Sequence, residues 1–249
     1  MQIIALHTIP EITAGDGLAL RIAAALSAAD IGPEAGDILV VTQKIVSKAE
    51  GRFMALDDVR PSAAAIDLAH TVRKDARVVE LVLRESAAIV RAVPNILITR
   101  HRTGHVMANA GIDRSNLGGR GDDTVLLLPE DADASAERLR HALSQRGIDM
   151  AVLITDSFGR PWRHGVVNVA IGASGLPSLI DRRGTRDRDG RPLEVTQIAF
   201  ADMLASAAGL VMGEGAEGVP AAIVRGLHWD APVCSAASLV RPPEEDLFQ

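Results

Sequence analysis

Met150-Ala151-Val152-Leu153-Ile154-Thr155-Asp156-Ser157 is the stretch on which the fold turns. Five apolar residues in a row, bounded by turn and polar signals, have the length of a buried strand rather than of a helix, and this strand runs straight into a hydroxyl, a carboxylate and a second hydroxyl. Upstream, Ser135 to Arg146 reads as a helix with Leu139, Ala142 and Leu143 on its inner face and Gly147 as its stop. Downstream, Gly165 to Ile171 reads as another strand. The same alternation of short apolar runs with helical patterns continues to both ends. Ile3 to Leu6 and Ile38 to Thr42 read as strands, and Asp16 as the cap of a helix from Gly17 to Ala29 with Leu18, Ile22, Ala25 and Leu26 on one face. Ser62 to Lys74 reads as helix; Ile89 to Val93 and Asn95 to Thr99 are β-like runs split by Pro94. Thr124 to Leu128 is a strand, Thr196 to Ala208 a helix, Leu210 to Met212 a short strand entering a glycine-rich turn, and Ala221 to Arg225 a strand. The pattern predicts an α+β protein of mixed sheets with flanking helices. Without linker or repeat, residues 1–249 form a single expected domain.

Composition narrows the function. With 26 basic against 32 acidic side chains the formal charge is −6, which argues against nucleic acid as a partner. Aromatics are only 2% of the chain and Tyr is absent, so Ala, Val, Leu and Ile must build the core. The single Cys234 excludes an intramolecular disulfide and a cysteine-based zinc cage. No apolar run reaches the ~18 residues of a membrane span, and Met1 to Ile4 lacks the pattern of a signal peptide. The expected location is the cytoplasm, with no membrane partner.

Four segments could carry chemistry. In Thr155-Asp156-Ser157-Phe158-Gly159-Arg160-Pro161-Trp162-Arg163-His164, a strand delivers Asp156 and Ser157 to its polar end, where oxygen donors can hold a hard divalent cation. Arg160 and Arg163 come next, and their planar donor forks suit phosphate or carboxylate. The plainer reading makes Asp156 and Ser157 turn caps and the arginines a solvated face. Asn109-Ala110-Gly111-Ile112-Asp113-Arg114-Ser115-Asn116 opens a polar, glycine-rich segment and offers a second carboxylate, Asp113, and an amide, Asn116; an Asx turn is the alternative. Gly213-Glu214-Gly215-Ala216-Glu217-Gly218 fits G-x-G-x-x-G letter for letter, but Pro220 and a β-like run stand where a dinucleotide fold needs a helix. Glu214 and Glu217 would repel a bare pyrophosphate unless a cation lay between. Thr42 to Gly51 places Lys44 and Lys48 just after a strand, where they could meet phosphates; on its own this stretch reads as a solvated turn. His101 and His105 have the spacing of a zinc pair on a helix, which Gly104 and the β-like surroundings oppose.

Taken in order, TQKIVSKAEGR (42–52), NAGIDRSN (109–116), ITDSFGRPWRHG (154–165), ADMLASAAGLVMGEGAEGVP (201–220) and RPPEEDLF (241–248) resemble the coenzyme F420-0:L-glutamate ligase, or γ-glutamyl ligase, family. The resemblance implies GTP-dependent addition of L-glutamate to F420-0, a deazaflavin precursor, through an acyl phosphate. It also implies Mg²⁺ or Mn²⁺, a place for K⁺, and an intertwined homodimer. By position it implies metal ligation by Asp113, Asp156, Ser157 and Glu214. It surrounds the nucleotide with Ile9, Pro10, Glu11, Ile12, Gln43, Lys44, Lys48, Asn116, Met212, Gly213, Gly215, Gly218 and Val219. Arg160 and Arg163 then become catalytic clamps. Two other readings stay open at this point: a nicotinamide or flavin dinucleotide oxidoreductase built on the glycine-rich turn, and a non-catalytic nucleotide-binding protein.

Overall fold

The computed structural model describes residues 1–246; Leu247 and Phe248 of the RPPEEDLF stretch lie outside them. In chain order the chain forms β1 (Gln2–Ala5), α1 (Leu18–Ala28), β2 (Ile38–Thr42), α2 (Gln43–Ala49), β3 (Phe53–Ala55), α3 (Ala63–Val72), α4 (Ala76–Arg84), β4 (Ser86–Val93), β5 (Ile96–His101) and β6 (Val106–Ala108). It continues with β7 (Thr124–Leu126), α5 (Ala132–Ser144), β8 (Ala151–Arg160), β9 (Arg163–Ser174), β10 (Leu179–Asp181), β11 (Gln197–Ala199), α6 (Phe200–Met212) and β12 (Ala221–Arg225). This is the expected mixture of helices and several sheets.

The central sheet has the order β1-β12-β2-β8-β9. Only β2 and β8 run parallel in it, from Ile38 beside Ala151 to Thr42 beside Thr155. Both faces of the sheet are covered, which is why these strands read as unbroken apolar runs. Leu39 and Val41 of β2, with Val152 and Ile154 of β8, pack on α1 and α5 through Ile22, Leu26, Leu139 and Leu143. Ile38 and Val40, with Leu153, pack on α6 through Ala201, Leu204 and Ala208. A separate core of Val72, Val79, Val82, Leu97 and Val125 joins α3 and α4 to the smaller sheets β3-β7 and β4-β5-β6. Among the described residues no helix is long and apolar enough to cross a membrane.

Several local expectations need correction. Asp16 does not cap α1: Gly17 occupies that position, and the Asp16 carboxylate instead accepts from Thr13 N–H at 2.8 Å and pairs with Arg21 at 2.7 Å. Thr42 to Gly51 is not a solvated turn; α2 starts directly after β2 and buries Gln43, Ile45, Val46, Ser47 and Lys48. Leu210 to Met212 is the last turn of α6, since Leu204, Ala208 and Met212 keep helical spacing toward the sheet and Gly213, at φ 75°, ends the helix. The helix starts at Phe200 because Gln197–Ala199 pair antiparallel with β10. Nor does β8 end at Ser157. A register shift between Ile154 and Thr155 lets it continue, paired with β9, to a tight turn at Pro161 and Trp162.

Candidate active site

The parallel pair β2 and β8 places Thr42 beside Thr155, so the start of α2 and the polar half of β8 meet at one edge of the sheet. Open α/β sheets characteristically place ligands at the carboxyl ends of parallel strands. Here a cavity of about 930 Å³ opens at that edge. Four walls enclose it. Ile9 to Ile12 form one, the start of α2 with Gln43, Lys44 and Lys48 a second, and the loop from Gly111 to Gly119 a third. The fourth is the turn from Met212 to Val219 after α6. Asp156 and Ser157 of β8 lie between them.

Asp113 is held by its own backbone, whose N–H and C=O both pair with Leu126 at 2.9 Å. Its Oδ2 accepts from Gln43 Nε2 at 2.7 Å and lies 3.5 Å from Lys44 Nζ. Gln43 is oriented in turn by Ser47, whose hydroxyl donates to Gln43 Oε1 at 2.9 Å one helical turn on. Burial pushes the Asp113 carboxyl above the ordinary carboxylate range, against the pull of Lys44 and Gln43. Asp156 is pushed up to about 7, first by burial and then by the negative charges of Asp113 and Glu214; the Ser157 N–H and Lys44 act the other way. Ser157 donates to Glu214 Oε2 at 2.5 Å, tying β8 to the glycine-rich turn.

Two contacts bridge the walls of the cavity. Asn116 Nδ2 donates to the Gly215 carbonyl at 3.1 Å, joining the third and fourth walls across 99 residues of sequence. Glu11 pairs with the buried ammonium of Lys48 and lies against Gly118, where an added Cβ would stand 2.7 Å from Glu11 Oε1. In the fourth wall Gly215 N–H donates to Glu217 Oε2 at 2.7 Å. Gly213 has φ 75°, a conformation that favours glycine, and a Cβ there would also press on the Glu217 side chain.

The structure thus brings Asp113, Asp156, Ser157 and Glu214 to one cavity together with Ile9 to Ile12, Gln43, Lys44, Lys48, Asn116 and the Met212 to Val219 turn. It does not bring Arg160 or Arg163 there. Both sit near the tip of the β8–β9 hairpin, Arg160 donating to the His164 carbonyl at 3.0 Å and Arg163 exposed. Nor do His101 and His105 form a helical pair: they flank the β5–β6 turn, each bonded to Thr103 Oγ1, at 2.7 and 2.9 Å.

Among the described residues no three His, Cys, Asp or Glu side chains form a metal-holding group. The donors present are two carboxylates, a hydroxyl and a glutamate on one wall. That is the donor type of Mg²⁺ or Mn²⁺ sites, where one or two carboxylates hold the ion and substrate phosphates and water complete its shell. The crowding of Asp156 by Asp113 and Glu214, with Lys44 as the nearby counter-charge, suits an added cation.

A family model described as F420-0:Gamma-glutamyl ligase matches residues 7–226 of the chain. The chain belongs to this family. The Coenzyme F420:L-glutamate ligase of Methanopyrus kandleri is 48% identical over 245 residues, 96% of this chain and 94% of the relative. That of Methanothermobacter thermautotrophicus is 42% identical over 252 residues, covering 100% and 99%, and that of Natronomonas pharaonis 42% over 252, covering 99% and 93%. Every γ-glutamyl ligase motif that lines the cavity falls inside the matched span.

Several residues that line the cavity of this family member, Thr42, Ile45, Ser115, Leu117 and Asn168 among them, have no assigned role in the sequence reading. Asn168 of β9 is buried, pairs in register with Ser157 and lines the cavity. It fits only because α6 carries Gly209 opposite, where a Cβ would stand 1.8 Å from Asn168 Oδ1. A polar residue within the apolar run Val166 to Ile171 was the available signal.

Proposed function

We propose that the chain joins L-glutamate to F420-0 in a GTP-dependent reaction through an acyl phosphate. The convergence of Asp113 and Asp156 in a lysine-bearing cavity roomy enough for a nucleotide carries this reading, and the family's name supports it.

Joining a carboxylate to an amine in water is uphill, so the carboxylate needs activation. The terminal phosphoryl of GTP passes to a carboxylate oxygen of the acceptor and GDP leaves. The glutamate amine then attacks the acyl carbon, phosphate departs, and the nitrogen loses its proton. Such transfers need positioning and charge neutralisation more than a protein nucleophile. Lys44 and Lys48 line the cavity and provide fixed positive charge for phosphate oxygens, a role the hairpin-tip arginines are not placed to share within one chain. Asp113, Asp156 and the Ser157–Glu214 pair would hold Mg²⁺ or Mn²⁺, which supplies Lewis-acid polarisation of the transferred phosphoryl. Gln43 and the Leu126 backbone keep Asp113 in place, and the Glu11–Lys48 pair orients the ammonium.

The oxidoreductase reading loses its footing. The glycine-rich turn leaves the end of α6 and enters β12, the reverse of the strand–turn–helix order a dinucleotide needs. A homodimer is also part of the proposal. β4 lies at the edge of its sheet with Ile89 and Val90 exposed at a bulge in its pairing with β5, an apolar edge that soluble proteins usually cover. Incubation with GTP, L-glutamate, Mn²⁺ and F420-0, read by mass spectrometry, tests the reading: the expected product is heavier by one or more glutamyl residues and forms with GDP. Nucleotide binding without turnover would leave a non-catalytic binder.

A further inference from the structure

Asn168 is only 9% exposed, yet it lines the cavity that holds Asp113 and Asp156. α6 grips it from behind. The Ser206 hydroxyl donates to the Asn168 backbone carbonyl at 2.9 Å, and the side-chain Oδ1 rests against Gly209, one turn nearer the end of the helix. In a planar amide the two N–H donors of Nδ2 point away from Oδ1, and so away from that glycine. Across the ladder Asn168 is the register partner of Ser157, which puts their Cβ atoms on one face at about 5 Å.

Other donors in the cavity wall are already engaged with protein. Gln43 donates to Asp113, Lys44 to the Ser115 carbonyl, Lys48 to Glu11, Asn116 to the Gly215 carbonyl, Thr155 to the Val41 carbonyl and Ser157 to Glu214. The Asn168 side-chain amide has no hydrogen-bond partner among the described residues. A buried amide left without a protein partner lowers stability, and a bound ligand that accepts its hydrogen bonds removes that penalty. The sheet order β2-β8-β9 puts Asn168 on one side of β8 and the lysines of α2 on the other. With phosphates held at Lys44 and Lys48, in-line transfer past Asp113 and Asp156 carries the phosphoryl group toward β9. The acyl carbon that it activates then lies on the Asn168 side.

We propose that Asn168 is a catalytic residue of the amide-forming step, its Nδ2–H donating to the acyl oxygen as that oxygen becomes an oxyanion. The lone pair of the glutamate amine forms the C–N bond while the C=O π pair moves onto oxygen. That pair then re-forms C=O, the C–O bond to phosphate breaks with its electrons on phosphate, and the nitrogen's proton passes to the phosphate. A donor already fixed between Ser206, Gly209 and Ser157 needs no reorganisation when the charge appears. The inference rests on the ligase reading above and adds the group that serves its second half.

The test gives the full-length protein F420-0, Mn²⁺ and GTP carrying heavy oxygen in its β–γ bridge, without glutamate. Movement of the label to a non-bridging β position reports reversible formation of the acyl phosphate. Glutamate is then added and product is followed by mass spectrometry. Asn168→Ala should exchange label within about threefold of the parent and keep the KM for GTP within about twofold. Product should form roughly 100- to 1,000-fold more slowly, the usual loss when an oxyanion donor is removed. Relative to the parent, Asn168→Asp should gain product formation as pH falls, because a protonated carboxyl donates where a carboxylate repels the oxyanion. If the alanine variant does not fold, that pH response decides alone, and a flat one overturns the assignment. Product at the parent rate in Asn168→Ala would overturn it too, as would exchange and product lost together, which places the amide in the phosphoryl step. Failure of the ligase reading shows separately, as wild-type protein that neither exchanges label nor forms product.

Discussion

Gln43 and Asp113, 70 residues apart, are joined by a 2.7 Å hydrogen bond from Nε2 to Oδ2, and Ser47 holds the other end of the same amide at 2.9 Å. The amide therefore cannot turn without losing one bond or the other, and it fixes the rotamer of a carboxylate that would otherwise swing. Gln43→Leu should lower Mn²⁺ affinity and kcat/KM by roughly 10- to 100-fold, the usual consequence of removing an outer partner of a metal ligand. Mn²⁺ titration at fixed GTP is the measurement, and an unchanged affinity would show that the backbone pairing with Leu126 alone positions Asp113.

If Asp156 holds the metal as proposed, Asp156→Asn should abolish turnover, since the loss of a metal ligand's charge costs several kcal/mol in the transition state. Its melting temperature should equal or exceed that of the parent when no metal is added, because the amide removes a buried charge crowded by Asp113 and Glu214. Calorimetry and product formation on the same preparation separate the two effects. A variant that is both inactive and much less stable would make Asp156 a structural residue.

Gly209→Ala sets two tendencies against each other. In an exposed helix interior the change stabilises by up to about 1 kcal/mol, but here the new methyl would lie 1.8 Å from Asn168 Oδ1. Overpacking typically costs about 1–3 kcal/mol, so the variant should melt lower and should displace Asn168 from its place in the cavity wall. Gly209→Ala combined with Asn168→Ala should recover stability.

Acid should weaken the fold through His105. Burial, with His101 nearby, lowers its pKa from 6.5 to about 4, and Asp133 opposes this. Between those values the unfolded chain binds a proton that the folded chain refuses, so stability is present above pH 6.5 and is lost as pH falls toward 4. The loss is on the order of 2–3 kcal/mol. The hydrogen bonds explain the refusal. Thr103 N–H donates to His101 Nδ1 at 3.1 Å, so the Thr103 hydroxyl must donate there too and accept from His105 Nδ1–H. His105 Nε2 is then a bare, buried lone pair without a partner among the described residues. Urea denaturation at several pH values should show a smaller acid loss in His105→Gln than in the parent.

If β4 is covered by a second copy, Val90→Lys should convert a dimer to a monomer at micromolar concentration, read by sedimentation. A parent protein that is monomeric and fully active would refute the homodimer.

The frame of the molecule was legible because burial leaves a mark on sequence. Ile38 to Val41 and Met150 to Ile154 lack alternation since α1 and α5 cover one face and α6 the other. Short apolar runs without that mark were misread: Leu210 to Met212 continue a helix whose period shows only when Leu204 and Ala208 are counted with them. Lys44 and Lys48 suggested a wet turn because charge is read as exposure, yet Lys48 is buried by its pairing with Glu11. The cavity's membership came from the family resemblance. No spacing along the chain states that residues 43, 113, 156 and 214 meet, because that depends on β2 and β8 lying side by side in parallel and on a turn returning from α6.

β8 carries Thr155, Asp156 and Ser157 within one paired strand from Ala151 to Arg160. Their spacing is therefore a fixed ruler, set by the strand's rise of about 3.3 Å per residue. Ser157 couples that ruler to the glycine-rich turn through Glu214. Loss of the serine hydroxyl would let the turn slip against Asp156 while the ladder beneath it keeps its register.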